Sequence, residues 1–497
     1  MGNLSVWHEN VELTAFPPLA SELHVDVAII GAGITGITAA YLLSQAGKKV
    51  VVLEAGRVGE GSTGYSTGNL YAAIGGEGLH SIAKKFDDDK LRAVVRSRAE
   101  AVDLIEGIIK KHNIDCDFKR ASWSLFSVEG HNMEFIEKER DAAIRAGLEV
   151  LSSVVYPSEV KDGFSVQDQA QFNPLKYVQA LANSASSDNC RIFEQSRVLK
   201  VDEGKEVCVV ETEHSRVLAS KVIMATHTPK GIYAVHTTLG PYREYAVAAV
   251  LKGNDPGSGI YWEMQESKHY SLRTFDTDAG KVIMVLGEMH KVGQKEENLE
   301  CFHKLEAFLK KRFDVGEILY RWSAQQYKPS DSIPYIGIST GNEKTYIATG
   351  FAADGLTYGT LAAKIISDDI LGIENQWKDT YKASRITPLA SATNFIKENA
   401  NVAYELVKDW LVNDVEKFSE VKTYEGKIML IEGAKHAVHR DGDGKLHIVS
   451  AVCPHMGCIV HWNTAEQSWD CPCHGSRFSK DGEVLEGPAI NPLRRIE

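Results

Sequence analysis

The sequence predicts a mixed α/β protein with an inserted antiparallel sheet, followed by a separate all-β domain at the C-terminus. Three observations support this fold class. A glycine-rich turn joins an apolar strand to a helix within residues 26–56. Segments such as "YREYAVAAVL", "HYSLRTFD" and "KVIMVLGE" alternate apolar and polar residues, as half-exposed strands do. After residue 417, short strand-like segments with Asp-Gly turns surround a cluster of cysteines and histidines.

Length and charge restrict the class of protein. With 497 residues the chain is too long for one hydrophobic core, so two or three domains are expected. A formal net charge of -12 argues against nucleic acid as a partner, because phosphate binding needs a basic surface. The N-terminal stretch has no basic leader and no apolar signal-peptide core. The longest apolar run, residues 27–43, contains three glycines and fits a strand and helix better than a membrane span. A cytoplasmic protein with no membrane span is expected.

The segment "DVAIIGAGITGITAAYLLSQAGKKVVVLEAG" has the strand, turn, helix and second strand of a Rossmann-type dinucleotide site. Gly31 allows a tight turn, Gly33 lets the backbone approach a pyrophosphate, and Gly36 lets the helix pack on the sheet. The helix N-terminus supplies amide groups and the positive end of a dipole. Glu54, at the end of the second strand, is expected to bind ribose hydroxyls.

Four further segments make the chain resemble the FAD-dependent amine and amino-acid oxidoreductases of the D-amino-acid oxidase and glycine oxidase type. They are, in chain order, "RVGEGSTGYSTGNL", "KVIMATHTP", "RWSAQQYKPSDSIPYIG" and "YIATGFAADGLTYGTLAAKII". The resemblance covers roughly residues 24–370 and implies a small amine or amino-acid substrate. It implies a non-covalent FAD, since "GSTGYSTG" offers no histidine or cysteine for attachment. The residues then expected to contact FAD are Gly31, Gly33, Ile34, Thr35, Gly36, Glu54, Ala55, Arg57, Gly61, Ser62, Thr63, Val198, Gly350, Phe351, Gly355, Leu356 and Thr357.

The resemblance also implies that segments of two domains alternate along the chain. The FAD-binding domain is expected to comprise residues 1–84, 151–234 and 321–385, and the substrate domain residues 85–150 and 235–320. In such enzymes the antiparallel sheet of the substrate domain covers the flavin. Candidate substrate-binding residues on this sheet, each of which could equally be structural, are Arg243, Tyr245 and Arg273. No catalytic base is assigned.

Four of the eight cysteines lie within residues 453–473. The segments "CPHMGC" and "CPCHGS" resemble the Rieske iron–sulfur module, whose [2Fe–2S] cluster takes two thiolates on one iron and two imidazoles on the other. The resemblance implies that the iron ligands are Cys453, His455, Cys471 and His474 and that Cys458 and Cys473 form a disulfide. A zinc site with two cysteine and two histidine ligands is the alternative.

The C-terminal domain is expected to comprise residues 417–497, preceded by a helical connector over residues 386–416. Residues 391–414 have helical apolar spacing and no glycine or proline. One further grouping, Glu432, His436 and His439, could be imagined as a mononuclear iron site. If residues 429–440 form one strand, however, the two histidines point to opposite faces, which argues against such a site.

Together these features predict an FAD-dependent oxidoreductase, a dehydrogenase in preference to an oxidase, that oxidises a C–N bond of a small amine or N-substituted amino acid. Electrons would pass from the flavin to the cluster and on to an external acceptor such as a ferredoxin or a quinone. One alternative is an oxygen-using amine oxidase whose Rieske domain is structural or redox-sensing. Another is a non-catalytic electron-transfer protein. A flavin reductase of an oxygenase is disfavoured, because the chain has no second nucleotide-binding turn for NADH.

Overall fold

A computed structural model of the chain describes residues 4–9, 11–73, 78–266, 268–385, 387–411 and 417–496. The strands in these ranges are β1 (Leu23–Ile30), β2 (Val50–Leu53), β3 (Asn69–Leu70), β4 (Lys119–Ser127), β5 (Val150–Leu151), β6 (Asp162–Gln171), β7 (Cys190–Phe193), β8 (Val198–Glu203), β9 (Cys208–Thr212), β10 (Arg216–Met224), β11 (Leu239–Gly253), β12 (Ile260–Met264), β13 (His269–Thr277), β14 (Gly280–Lys291), β15 (Asp314–Pro329), β16 (Tyr335–Ile338), β17 (Thr345–Thr349), β18 (Gly426–Ile431), β19 (Ala434–Arg440), β20 (Leu446–Ser450), β21 (His461–Asn463), β22 (Ser468–Asp470), β23 (Arg477–Ser479) and β24 (Val484–Glu486). The α-helices are α1 (Ile34–Gln45), α2 (Gly78–Lys85), α3 (Asp88–His112), α4 (Met133–Arg145), α5 (Pro174–Ala185), α6 (Leu299–Arg312), α7 (Gly355–Leu371), α8 (Lys378–Tyr381) and α9 (Pro388–Leu411).

The first sheet has a parallel centre. Its strand order is β16-β17-β10-β1-β2-β7, and β8 and β9 extend it from β10. All four residues of β2 are buried, as is typical of a parallel sheet covered on both faces. Helix α1 packs against α5 and α7. The carboxyl ends of β1 and β2 meet side by side, where the amide of Gly31 donates to the carbonyl of Leu53 at 2.9 Å. The predicted Rossmann-type arrangement is confirmed.

The second sheet has the order β15-β11-β14-β13-β12-β4-β6-β3, is mostly antiparallel, and is larger than predicted. The sequence assigns residues 151–234 and 321–385 to the FAD-binding domain. In the structure β6 lies between β4 and β3, and β15 runs on to Pro329 beside β11. These two strands thus pair with the antiparallel sheet, although they lie in segments that the sequence assigns to the FAD-binding domain. Such pairing joins segments distant in the chain, which local sequence patterns do not report. The domain boundaries stay a prediction.

The C-terminal region contains a three-stranded sheet, β18-β19-β20, and a four-stranded sheet, β21-β22-β23-β24. The predicted connector helix is present as α9, Pro388–Leu411. Residue 386 and residues 412–416 of the predicted connector lie outside the described residues. Across the described ranges, each helix lacks either the length or the apolar character that a bilayer crossing requires.

Residues 429–440 do not form one strand, because the segment belongs to a hairpin of β18 and β19. Glu432 (φ 51°) and Gly433 (φ 79°) make the turn in the left-handed region. Glu432 is exposed there, whereas His439 is fully buried and its ring stacks on Trp462 with centroids 4.1 Å apart. Glu432, His436 and His439 therefore do not converge on a metal site.

The C-terminal domain is held to the antiparallel sheet by a buried ion network. Arg243 of β11 pairs with Glu466 and, at 3.4 Å, with Glu486. Arg477 of β23 pairs with the same carboxylates at 3.0 and 2.7 Å. The Arg243 side chain is only 2% exposed, and its charge is balanced by these carboxylates. Each domain thus supplies one guanidinium to a shared pair of acids.

Replacing Arg243 with alanine is expected to destabilise the docked C-terminal domain. Loss of one partner from a buried ion network typically lowers the free energy of unfolding by about 3–5 kcal/mol. Urea unfolding followed by the visible absorbance of the cluster measures this effect. Lys281→Ala, which removes an exposed ion pair with Asp255, is the control and should change the midpoint little. Equal midpoints for the two variants would contradict the assigned role of the network.

Candidate functional site

The glycine turn after β1 is closed by Glu54. One carboxylate oxygen accepts the amide of Ala32 and the other accepts the amide of Gly56, both at 2.8 Å. Burial raises the pKa of Glu54, against the effect of these hydrogen bonds. Thr63 Oγ1 accepts the amide of Ile34 at the start of α1, at 3.0 Å. The turn, the end of β2 and the loop after it thus meet in one place, as predicted.

Two of the glycines are required by close contacts. A Cβ on Gly36 would lie 1.9 Å from the carbonyl oxygen of Gly31, and a Cβ on Gly31 would lie 2.6 Å from that of Ala225. Gly31 also has a φ of 100°, which L-residues rarely adopt. Strand β1, helix α1 and the end of β10 therefore approach as closely as a dinucleotide cradle needs.

The predicted residues from the second half of the chain lie next to this turn. Helix α7, which begins at Gly355, packs against α1, and a Cβ on Gly359 would meet Thr35 Oγ1 at 2.5 Å. The loop before α7 starts at Gly350 and contains Phe351. By contrast Val198, at the start of β8, packs at the edge of the hydrophobic cluster that contains Leu53. The glycine turn after β1, the start of α7 and the loop before α7 form one continuous region that could hold FAD.

A cavity lies between the loop that precedes α7 and the antiparallel sheet. On the loop side it is lined by residues 350–354. On the sheet side its polar and aromatic lining includes Tyr71, Glu244, Trp262, His269, Gln326 and Lys328. The loop before α7 and the antiparallel sheet therefore enclose one space.

The three candidate substrate-binding residues do not line this cavity, which corrects the prediction. Arg243 is in the ion network described above. Tyr245 donates from its hydroxyl to Asn298 Oδ1 at 3.1 Å, against helix α6. Arg273 donates from Nη1 to the carbonyls of Thr67 and Gly68, both at 2.8 Å. For Arg243 and Tyr245 the reason is strand alternation, because both are neighbours of the cavity-lining Glu244 in β11 and point to the opposite face. Arg273, in β13, is instead occupied by the backbone carbonyls just before β3.

Sequence reasoning missed Glu244, which lies between two of those candidates and faces the cavity. The alternation of β11 was visible in the sequence, but the face turned to the cavity was not. It also missed a buried pair beneath the cavity, in which Arg98 contacts Asp354 at 3.2 Å. Arg98 further donates from Nη2 and Nε to the carbonyls of Tyr71 and Ala72 at 2.7 and 2.9 Å. Its Nη1 is buried without a hydrogen-bond partner among the described residues, and the guanidinium lies over the Tyr358 ring.

At the C-terminus the two motif loops bring the four predicted iron ligands together. Cys458 and Cys473 form a disulfide, whereas Cys453 and Cys471 are free thiols. The rings of His455 and His474 lie with centroids 5.0 Å apart. Within the described residues, Nδ1 of each ring is buried and has no hydrogen-bond partner. Two buried imidazole nitrogens without partners, beside two free thiols, fit a metal cluster.

The protonation of these histidines also suits metal binding. Burial lowers the pKa of His474 to about 4, and the neighbouring His455 makes a smaller contribution in the same direction. The imidazole of His474 is therefore neutral near pH 7. Burial likewise lowers the pKa of His455. Nε2 of His455 donates to the carbonyl of Gly231 at 3.2 Å, which leaves Nδ1 as the atom with a lone pair. The histidine side of the site thus contacts the FAD-binding domain.

Strand β15 separates the cavity from the cluster loops. Gln326 and Lys328 line the cavity, whereas Gln325 and Tyr327 point to the other face. Gln325 Nε2 donates to the carbonyl of Gly475 at 2.8 Å. The contact is close, because a Cβ on Gly475 would lie 2.8 Å from that same Nε2.

Gly36→Ala is expected to prevent dinucleotide binding while leaving the iron–sulfur site intact. The new Cβ would overlap the Gly31 carbonyl and force β1 and α1 apart. Flavin released by acid and iron bound to the protein would be measured separately. Gly107→Ala in α3, where a Cβ meets nothing within 4 Å, is the matched control and should keep both. Retention of flavin in Gly36→Ala would refute the cradle.

His474→Ala is expected to abolish the iron–sulfur signal in electron paramagnetic resonance spectra while the flavin stays bound, because the variant removes one of the two imidazole ligands. His447→Gln, which changes a histidine held by Asp441 and Asp481, is the control and should retain the signal. Iron and acid-labile sulfide would be determined for each protein. Zinc without sulfide in the unmodified protein would contradict the cluster.

Comparisons with known proteins agree with this geometry. The sequence profile of the FAD dependent oxidoreductase family matches residues 26–369, and that of the Rieske [2Fe-2S] domain matches residues 412–497. YhfW of Bacillus subtilis, named as a Rieske 2Fe-2S iron-sulfur protein, is 32% identical over 99% of this chain and 97% of its own length. The gamma-glutamylputrescine oxidoreductase of Escherichia coli K12 is 28% identical over 42% of this chain and 50% of its own length.

Solved structures agree on the fold of the first domain. Glycine oxidase from Geobacillus kaustophilus superposes with a TM-score of 0.61 at 14% identity, covering 73% of this chain and 99% of that enzyme. The two profiles imply FAD in the first domain and a [2Fe–2S] cluster in the second, in place of the zinc alternative. The chain belongs to the FAD-dependent oxidoreductase family and carries a C-terminal Rieske [2Fe–2S] domain.

Proposed function

We propose that this protein oxidises a C–N bond of a small amine or N-substituted amino acid and passes the electrons through its own Rieske cluster to an external acceptor. When bound, FAD accepts a hydride from the substrate carbon, and the cluster takes up one electron at a time. The names of two similar proteins, a glycine oxidase and a gamma-glutamylputrescine oxidoreductase, support a donor that carries an amino group. A ferredoxin or a quinone would suit a one-electron donor as the final acceptor.

The ligands of both groups follow from the sequence and remain proposals. FAD would be held by the turn that begins at Gly31, by Glu54, by Thr63 and by the N-terminus of α7. The cluster would be held by the four ligands predicted from the motifs: Cys453, His455, Cys471 and His474.

The observation that carries the proposal is the position of Tyr327. Its backbone carbonyl accepts the amide of Ala352, in the loop that lines the cavity, at 3.0 Å. Its hydroxyl donates to the carbonyl of Gly487 at 3.0 Å and lies 3.4 Å from the carbonyl of His474. One buried residue therefore links the flavin-side loop to the cluster-bearing loop. Such a short contact is what electron transfer between the two groups would use.

The contacts between the two domains and the enclosed cavity favour a dehydrogenase over the two alternatives. A Rieske domain that is only structural or redox-sensing does not need its histidine side against the FAD-binding domain, where the His455 ring contacts Gly231. A non-catalytic carrier does not need an enclosed cavity beside the flavin loop. Anaerobic mixing with an amine donor distinguishes both alternatives from the proposed dehydrogenase.

Anaerobic mixing with a reducing substrate is expected to reduce the flavin first and the cluster afterwards. A panel of primary amines and N-methyl amino acids would be tested, with flavin absorbance and the electron paramagnetic resonance signal of the cluster as readouts. In His474→Ala the flavin should bleach without that signal. An oxidase would leave the cluster oxidised without oxygen, and a non-catalytic carrier would show no bleaching with any donor. Either result would count against the proposal.

A further inference from the structure

The acidic residues of the cavity differ in their partners. Asp354 is paired with Arg98 at 3.2 Å. Glu244 is buried, with 7% of the residue exposed, and accepts a hydrogen bond from Gln326 Nε2 at 3.1 Å. Among the residues that the structure describes, Glu244 forms no ion pair. A buried carboxylate with one neutral donor keeps most of its acceptor capacity unused.

A second acceptor lies beside it. Gln326 Oε1 is buried and has no hydrogen-bond partner in the described part of the chain. Gln326 is 5% exposed and lines the same cavity as Glu244. A buried acceptor without a donor is costly, so a cavity that holds this atom beside the Glu244 carboxylate suits a ligand that brings N–H donors and a positive charge.

The aromatic lining is compatible with a cation. Tyr71 and Trp262 both face the cavity, with ring centroids 6.1 Å apart in an edge-to-face arrangement. The electron-rich faces of such rings attract ammonium groups. One cationic side chain, Lys328, shares the cavity and offsets part of the negative charge of Glu244.

We propose that Glu244 and Gln326 bind the ammonium group of the substrate, which makes the substrate class a protonated primary or secondary amine. This inference rests on the proposed function of the same cavity.

Glu244 can also take up a proton from the bound ammonium. One N–H bond breaks and one O–H bond forms on a carboxylate oxygen, with no change of oxidation state. The amine that remains is neutral and keeps its lone pair, which is the form that can lose a hydride from the adjacent carbon. Such transfer is efficient when the acceptor has a pKa near the working pH.

The titration of Glu244 follows from its surroundings. Burial raises the pKa of Glu244 to about 7, while Lys328 and the bond from Gln326 act in the opposite direction. The other ionisable groups that face the cavity are His269, Asp354, Tyr71 and Tyr358. Burial lowers the pKa of His269 to about 3, so it stays neutral near pH 7. Below its pKa Glu244 is protonated, so binding of a cation is expected to weaken as the pH falls through about 7.

Calorimetric titration of the fully reduced holoenzyme, kept anaerobic so that the flavin cannot accept a hydride, tests the proposal. The probes are propylammonium and, as the neutral probe of similar shape, 1-propanol. Glu244→Gln is expected to weaken propylammonium binding about tenfold or more, since it removes a charge-assisted hydrogen bond. Binding of 1-propanol should be unchanged. Glu317→Gln, which removes an exposed carboxylate on β15, is the matched control and should bind both probes as the unmodified enzyme does.

Equal propylammonium affinity in Glu244→Gln and the unmodified enzyme would overturn the proposal. A parallel loss of 1-propanol binding would also overturn it, because the cavity itself would then have changed. If Glu244→Gln fails to fold, the pH dependence of propylammonium binding to the unmodified enzyme decides. Flat affinity from one unit below to one unit above a pH of about 7 would refute the role of Glu244. The titration involves no turnover, so its outcome is independent of electron transfer to the cluster.

Discussion

The buried ion network between the two domains is the interaction on which the arrangement of this protein depends. Arg243 from the antiparallel sheet and Arg477 from the Rieske domain share the carboxylates of Glu466 and Glu486. Burial opposes ionisation of Glu486, yet Arg477 and Arg243 hold its pKa at about 2. Arg477, Glu466 and Glu486 all belong to the Rieske domain, so the buried charge that depends on docking for its carboxylates is that of Arg243. The network fixes the cluster-bearing loops against strand β15.

With the domains docked, one strand serves two sites. The side chains of β15 alternate between the cavity and the cluster loops, so Gln326 and Tyr327 act on opposite faces. The pleat of a strand guarantees this division, since consecutive side chains point to opposite sides. The cavity and the cluster loops can therefore approach within the thickness of a sheet while each keeps its own polar environment. This proximity would suit the transfer of electrons between the two sites that we propose.

The two acidic residues that line the cavity differ in how their charges are paired. Arg98 and Asp354 neutralise each other beneath it, and Nε and Nη2 of Arg98 donate to backbone carbonyls at and beside Tyr71. Glu244 lacks such a partner among the described residues and faces the space that a substrate would fill. A buried carboxylate that the fold compensates only in part, through Lys328 and Gln326, is better explained by a ligand than by stability.

The sequence by itself determined the features that rest on local rules. The glycine spacing after β1 and the cysteine and histidine spacing of the last domain identified both cofactor sites, because turns and metal loops impose residue types over a few neighbouring positions. Tertiary structure decided which face each side chain uses. Arg243 was a plausible substrate ligand in the sequence, but the pairing of β11 with β15 and the docking of a distant domain made it an interdomain ion pair. The same pairing turned Glu244 to the cavity, because strand register depends on residues far apart in the chain, which no local pattern contains.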